Sequence, residues 1–144
     1  MTEIINNLYL GSQNDARLMA NKVGMVINCS TNIPFYSEAL SDTILIRLPI
    51  EDNGDQQQYK IFYDNIEDDN IFICIDEVLS KNKKVLVHCK YGQQRSCAFV
   101  TCFLIWKYNL DLFDAIKYVK SQRKEAFFGS VNFMDAIKYY SKTH

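Results

Sequence analysis

A single α/β domain spanning residues 1–144, with a mainly parallel central sheet flanked by helices, follows from three features of the chain. Short apolar runs of strand length alternate with longer segments of helical periodicity. The apolar run Val85-Leu86-Val87 passes through a glycine-containing loop into a long apolar stretch beginning at Ala98. A length of 144 residues suits one domain with one real core.

Taken in chain order, residues 8–10 form the first strand candidate, closed by Gly11. Residues 15–19 read as a short helix. Residues 25–28 (Met-Val-Ile-Asn) form a second strand, and residues 44–48 (Ile-Leu-Ile-Arg-Leu) a third that Pro49 ends. Apolar residues three and four apart then give helices over 59–66 and 71–80, joined through Glu67-Asp68-Asp69, which reads as a solvated acidic turn. Residues 85–88 form the fourth strand. Three helices complete the chain at 98–108, 112–121 and 131–141, the last with Ser130 as its expected N-cap after the turn-like Phe128-Gly129. The pentapeptide Asp-Ala-Ile-Lys-Tyr occurs at 114–118 and again at 135–139. Two copies are too few for a repeat architecture and read as parallel solutions to amphipathic packing.

Composition narrows the function classes. Hydrophobic content of 48% with 23% charged residues is that of an ordinary globular protein. A formal net charge of −1 without a basic stripe argues against a general nucleic-acid surface, so any phosphate affinity must be local. The opening Met1-Thr2-Glu3-Ile4-Ile5-Asn6 lacks the basic-then-apolar pattern of a secretory leader. No apolar run is long enough to span a bilayer, and no lipidation pattern is present. A cytoplasmic or nuclear location without membrane attachment is the expectation. The five cysteines (Cys29, Cys74, Cys89, Cys97, Cys102) form no regular disulfide framework, and four of them lie in apolar segments that suit packing. The sequon Asn28-Cys29-Ser30 is read as a strand-end coincidence. No Cys-x-x-Cys pair occurs, and His88 and His144 are the only imidazoles, so neither a metal nor a cofactor is expected.

The segment His88-Cys89-Lys90-Tyr91-Gly92-Gln93-Gln94-Arg95-Ser96 carries the chemistry. It places a thiol at the mouth of a short loop and a guanidinium six residues later, where the loop becomes a helix. Backbone N–H groups of such a loop converge on an anion, and the helix N-terminus adds unpaired donors and its positive dipole end. Arg95 can hold two phosphate oxygens through its planar fork. The same field favours the thiolate of Cys89, the form that attacks phosphorus.

This segment resembles the His-Cys-x5-Arg-Ser/Thr signature of the cysteine-dependent protein tyrosine phosphatases. Its form His-Cys-x-x-Gly-x-x-Arg-Ser is that of the dual-specificity branch. The opening Asn7 to Ser12, the run Val26 to Ser30, the run Ile46 to Asp52, and Ala115, Tyr118, Val119, Arg123 and Phe133 extend the likeness over nearly all of 4–141.

The resemblance implies a phosphatase acting on phosphotyrosine and on phosphoserine or phosphothreonine in proteins. Cys89 would be the nucleophile, Arg95 the phosphoryl-binding group, and Ser96 the donor to the departing thiolate. His88 would orient the loop and tune Cys89. Lys90, Tyr91, Gly92, Gln93 and Gln94 would line the phosphate loop. Asp52 would be the general acid, protonated to act, giving a bell-shaped pH profile against the Cys89 thiolate. It stands 37 residues before Cys89, a longer separation than the family's habit, so Asp55 on the same loop is a rival, and turn chemistry accounts for either. Lys90 reads either as added potential for a polyanionic substrate or as a solvent-facing lysine. Cys29 is expected on a strand near Cys89, where it either packs or forms a protective disulfide. Removal of RNA 5′-phosphates, phosphoinositide hydrolysis and phosphate binding without catalysis are the alternative functions.

Overall fold

The computed structural model describes residues 1–36 and 42–144. Among the described residues five strands form one sheet: β1 (Thr2–Ile5), β2 (Leu8–Gly11), β3 (Met25–Asn28), β4 (Ile44–Arg47) and β5 (Val85–His88). Their order is β1-β2-β5-β3-β4. β1 runs antiparallel to β2 at one edge, and the other three pairings are parallel. The sheet is therefore mixed, with the mainly parallel character expected from the alternation of strands and helices.

Six helices among the described residues accompany it: α1 (Gln13–Met19), α2 (Gln56–Ile66), α3 (Asn70–Ser80), α4 (Arg95–Tyr108), α5 (Leu112–Gln122) and α6 (Met134–Thr143). The four expected strands and six expected helices are all present, with ends shifted by local capping. Ser12 caps α1 through a reciprocal box with Asp15. Asp55 starts α2 three residues earlier than its apolar pattern, its carboxylate accepting from the N–H of Gln57 at 3.0 Å. Strand β1 was not anticipated. Its signal is Asn6-Asn7 between apolar pairs, with Asn7 at φ 70°, a left-handed dihedral that asparagine tolerates in tight turns.

Two expectations are corrected. Ser130 does not cap the last helix; α6 begins at Met134 with Phe133 at its N-cap. The side chain of Gln94 binds the backbone at Phe128, Ser130 and Asn132, which holds that stretch outside the helix. The Glu67-Asp68-Asp69 turn is not simply solvated. Asp69 accepts a 2.7 Å hydrogen bond from the hydroxyl of Tyr140 and lies 3.3 Å from Nε2 of His144.

Most of the core lies on the face covered by α2 to α6, where Phe62, Phe72, Phe99, Phe103, Phe133 and Tyr140 are fully buried. Each such side chain contributes roughly 2–3 kcal/mol of burial energy. α4 is buried from Ser96 through Ile105, so its whole circumference rather than one stripe is covered there. The repeated pentapeptides fall within α5 and α6, where each presents its Ala-Ile pair to the core (Ala115 and Ile116, Ala136 and Ile137). A smaller cluster of Ala16, Val23, Val26 and Leu86 fills the other face. Among the described residues no helix is long and apolar enough to cross a membrane.

Candidate active site

The register of the sheet sets the site. Gly11 of β2 and Asn28 of β3 both pair with His88, so three parallel strands end together and Cys89 emerges at their carboxyl edge. Open parallel sheets present their ligand crevice at this edge. Beyond it the chain turns through Lys90 to Gln94 and enters α4 at Arg95, as the spacing of the motif predicts.

Carbonyl oxygens of the loop are held from outside the cleft. Arg123 donates from Nε to Gly92 O at 2.8 Å and from Nη2 to Tyr91 O at 3.4 Å. Gln13 N–H donates to Lys90 O, and Phe127 N–H to Gln93 O. Gly92 adopts φ 66°, and a Cβ there would lie 2.6 Å from Gly11 O, so only glycine fits.

Cys89 is 2% exposed, and its Sγ lies 3.1 Å from Ser96 Oγ. Burial alone would raise the thiol's pKa. The side-chain and backbone hydrogen bonds of Ser96, the Arg95 guanidinium and the Gly92 backbone outweigh it and hold the thiol below its ordinary value. The neighbouring thiols behave oppositely: burial and the Cys89 charge push Cys97 up to about 12 and Cys29 well above the usual range. All five cysteines are free. Cys29 is fully buried with its N–H donating to His88 O, which puts it on the strand end beside Cys89 as a free, packed thiol.

His88 is buried, with Nδ1 3.4 Å from Cys89 O. Burial lowers its pKa to about 4, and the Arg47 and Arg95 charges add to this, so the ring is neutral near pH 7. Arg95 donates from Nη1 to Ile50 O at 3.1 Å, two residues before Asp52.

Asp52, Cys89, Tyr91, Gln93, Gln94 and Arg95 line one small cleft of about 60 Å³. Asp52 is exposed at its rim, and both carboxylate oxygens accept from Asn132 Nδ2 at 3.1 Å. Asp55 is not part of this lining; its carboxylate is committed to the N-terminus of α2. Lys90 is exposed, with Nζ 5.2 Å from the centroid of the Tyr91 ring, and Tyr91 is itself 62% exposed at the mouth. The side-chain amide of Gln94 faces the 128–132 loop, leaving its backbone to the phosphate loop. Among the described residues no three His, Cys, Asp or Glu side chains converge on a metal position.

Sequence reasoning missed the roles of Arg123 and Asn132. An arginine directly after the amphipathic run 112–121 was the available sign of the first; nothing local marks the second.

The dual specificity phosphatase catalytic domain model matches residues 8–143. Human dual specificity protein phosphatase 9 is 33% identical over 145 aligned residues, covering 98% of this chain and 36% of that protein. Human dual specificity protein phosphatase 7 is 31% identical, with 98% and 33% covered. The chain thus spans about a third of the length of these curated relatives. Among solved structures, human DUSP28 superposes with a TM-score of 0.79 at 23% identity, covering 98% of this chain and 92% of that one. The human tyrosine phosphatase-like serine/threonine/tyrosine-interacting protein gives 0.75 at 24%, covering 99% and 95%. With its sheet, loop and thiol arranged as described, the chain belongs to the dual-specificity phosphatase family, within the protein tyrosine phosphatase superfamily.

Proposed function

We propose that this chain hydrolyses phosphate monoesters of tyrosine and of serine or threonine in proteins through a cysteinyl-phosphate intermediate. The observation that carries the reading is the Cys89 thiol, held below its ordinary pKa at the floor of a cleft that also contains Arg95 and Asp52. The phosphoryl group sits among the loop N–H groups with its oxygens on the Arg95 fork. Cys89 Sγ attacks phosphorus in line as the ester P–O bond breaks, and the leaving oxygen takes a proton from Asp52. Water then attacks phosphorus and gives a proton to the Asp52 carboxylate. The S–P bond breaks, and Ser96 donates to the returning thiolate.

Asp52 is favoured over Asp55 because it lines the cleft while Asp55 caps a helix. The cleft has room for a phosphoryl group and leaves the rest of the substrate at the mouth, which suits phosphorylated side chains of differing length. Gln93 and Gln94 are neutral and Lys90 is turned to solvent, which does not favour a polyanionic lipid headgroup.

Hydrolysis of an aryl phosphate and of phosphotyrosyl and phosphothreonyl peptides, in EDTA across pH 5–8, tests the reading. Turnover should vanish in Cys89→Ser. Asp52→Ala should lower kcat by about 10²-fold or more and remove the fall in rate at high pH, since that limb reports loss of the acid's proton. Retained phosphate binding without turnover by the wild type would leave a phosphate-recognition module instead.

A further inference from the structure

The side-chain amide of Gln94 is fully engaged, yet none of its partners belongs to the phosphate loop. Nε2 donates to Ser130 O at 2.6 Å and to Phe128 O at 3.2 Å, and Oε1 accepts from the backbone N–H of Asn132 at 3.0 Å. Asn132 in turn donates from Nδ2 to both oxygens of Asp52. A continuous path of hydrogen bonds therefore joins the residue preceding Arg95 to the carboxylate on the opposite wall of the cleft.

The motif leaves position 94 open, and phosphate binding there needs only a backbone N–H. A buried glutamine with donors and acceptor all committed has another purpose. Asp52 is exposed and precedes Asn53 and Gly54, the latter at φ 77° with nothing within 4 Å of its Cβ position, so its own loop confines it little. The 127–132 segment also has positive φ at Phe127 and Gly129, and it leaves Phe128 76% exposed. The amide of Gln94 is what ties that segment down at three points.

We propose that Gln94 is a positioning residue for the proton donor, fixing the 128–132 loop so that Asn132 holds the Asp52 carboxyl at the leaving-group side of the cleft. This rests on the reading of Asp52 as general acid. Two bonds from one amide to Asp52 orient one face of the carboxyl and leave the other to carry the transferred proton. Loss of that orientation lowers the rate of proton transfer while the thiolate and the phosphate loop persist.

The test uses the whole chain and two substrates, phenyl phosphate, whose leaving oxygen needs a proton, and 2,4-dinitrophenyl phosphate, whose leaving group departs as the anion. Gln94→Met keeps the length and removes the hydrogen bonds. It should lose about tenfold in kcat on phenyl phosphate, part of the range that general acid catalysis spans, with a clearly smaller loss on the dinitrophenyl ester. In an Asp52→Ala background the phenyl phosphate loss should shrink to that of the activated ester. Asn132→Ala cuts the path one link nearer Asp52 and should reproduce the signature, with Gln94 still bonded to Phe128 and Ser130. Equal losses on both esters, or full additivity with Asp52→Ala, would overturn the assignment and make Gln94 a determinant of loop shape. If Asp52→Ala itself shows no leaving-group dependence, the proton-donor reading fails, and this inference falls with it.

Discussion

Arg123 reaches across from the end of α5 and donates its Nε–H to Gly92 O at 2.8 Å, behind the phosphate loop. Each carbonyl drawn backwards turns the opposite side of its peptide plane, and hence an N–H, towards the cleft. A buried arginine thus sets the polarity of the loop from behind. Arg123→Met, similar in bulk, should weaken binding of vanadate or phosphate by about tenfold or more, since the Gly92 and Tyr91 carbonyls both lose their charge-assisted donor. Titration with oxyanion would show it; unchanged affinity would mean the loop holds its shape without Arg123.

Gly92→Ala should be much more disruptive than its single methyl suggests. Residue 92 has φ 66°, and the new Cβ would meet Gly11 O and Arg123 Nη2 at 2.6 and 2.7 Å, with the first of these in backbone. Gly54→Ala offers the contrast, because φ is 77° there and the space is open. Urea unfolding should give about 3 kcal/mol of destabilisation for the first and about 1 kcal/mol for the second. Equal costs would show that strain in φ accounts for both.

Ser96 has a kinetic signature distinct from that of Asp52. In the proposed mechanism its hydroxyl, 3.1 Å from Cys89 Sγ, stabilises a thiolate both before attack and after departure from phosphorus. Ser96→Ala should raise the Cys89 pKa and slow breakdown of the intermediate by about ten- to a hundredfold, the rate equivalent of a hydrogen bond to a charged group. Rapid-quench kinetics should then show a burst, and alkylation of Cys89 should shift to higher pH. Steady turnover with no burst would remove Ser96 from the second step.

Histidine 88 ties stability to pH. Its folded pKa, about 4, lies below the ordinary value of 6.5, so the unfolded chain binds the proton more readily between those limits. Its contribution is complete above pH 6.5 and is lost as pH falls towards 4, up to about 3 kcal/mol. His88→Asn should flatten the decline in urea midpoint between pH 6.5 and 4.5, whatever it does to stability at pH 7. A parallel decline in the variant would place the acid sensitivity elsewhere.

The legible parts of this chain are those written locally. The strand, loop and helix around Cys89 and the apolar pattern of α2 to α5 occupy contiguous residues, and periodicity fixes them. Asp52 could be preferred to Asp55 only on loop registration, which depends on where α2 starts; the run Gln56-Gln57-Gln58 after Asp55 was the usable hint that Asp55 is its cap. Ser130 was misread as a cap because its competing partner, Gln94, lies 36 residues earlier in the chain. Asn132 and Asp52 are 80 residues apart, and Arg123 meets Gly92 across 31. Side chains that act on backbone or on one another over such separations leave no periodic trace.

The guanidinium behind the loop also binds Thr2 Oγ1 at 2.9 Å, across 121 residues. During vectorial synthesis, Cys89 leaves the ribosome well before Arg123. Until that arginine arrives, the segment from His88 to Ser96 lacks the side chain that holds its Tyr91 and Gly92 carbonyls from behind. The final shape of the loop is therefore fixed only when both ends of the chain are in place, because one guanidinium joins Thr2 to Gly92.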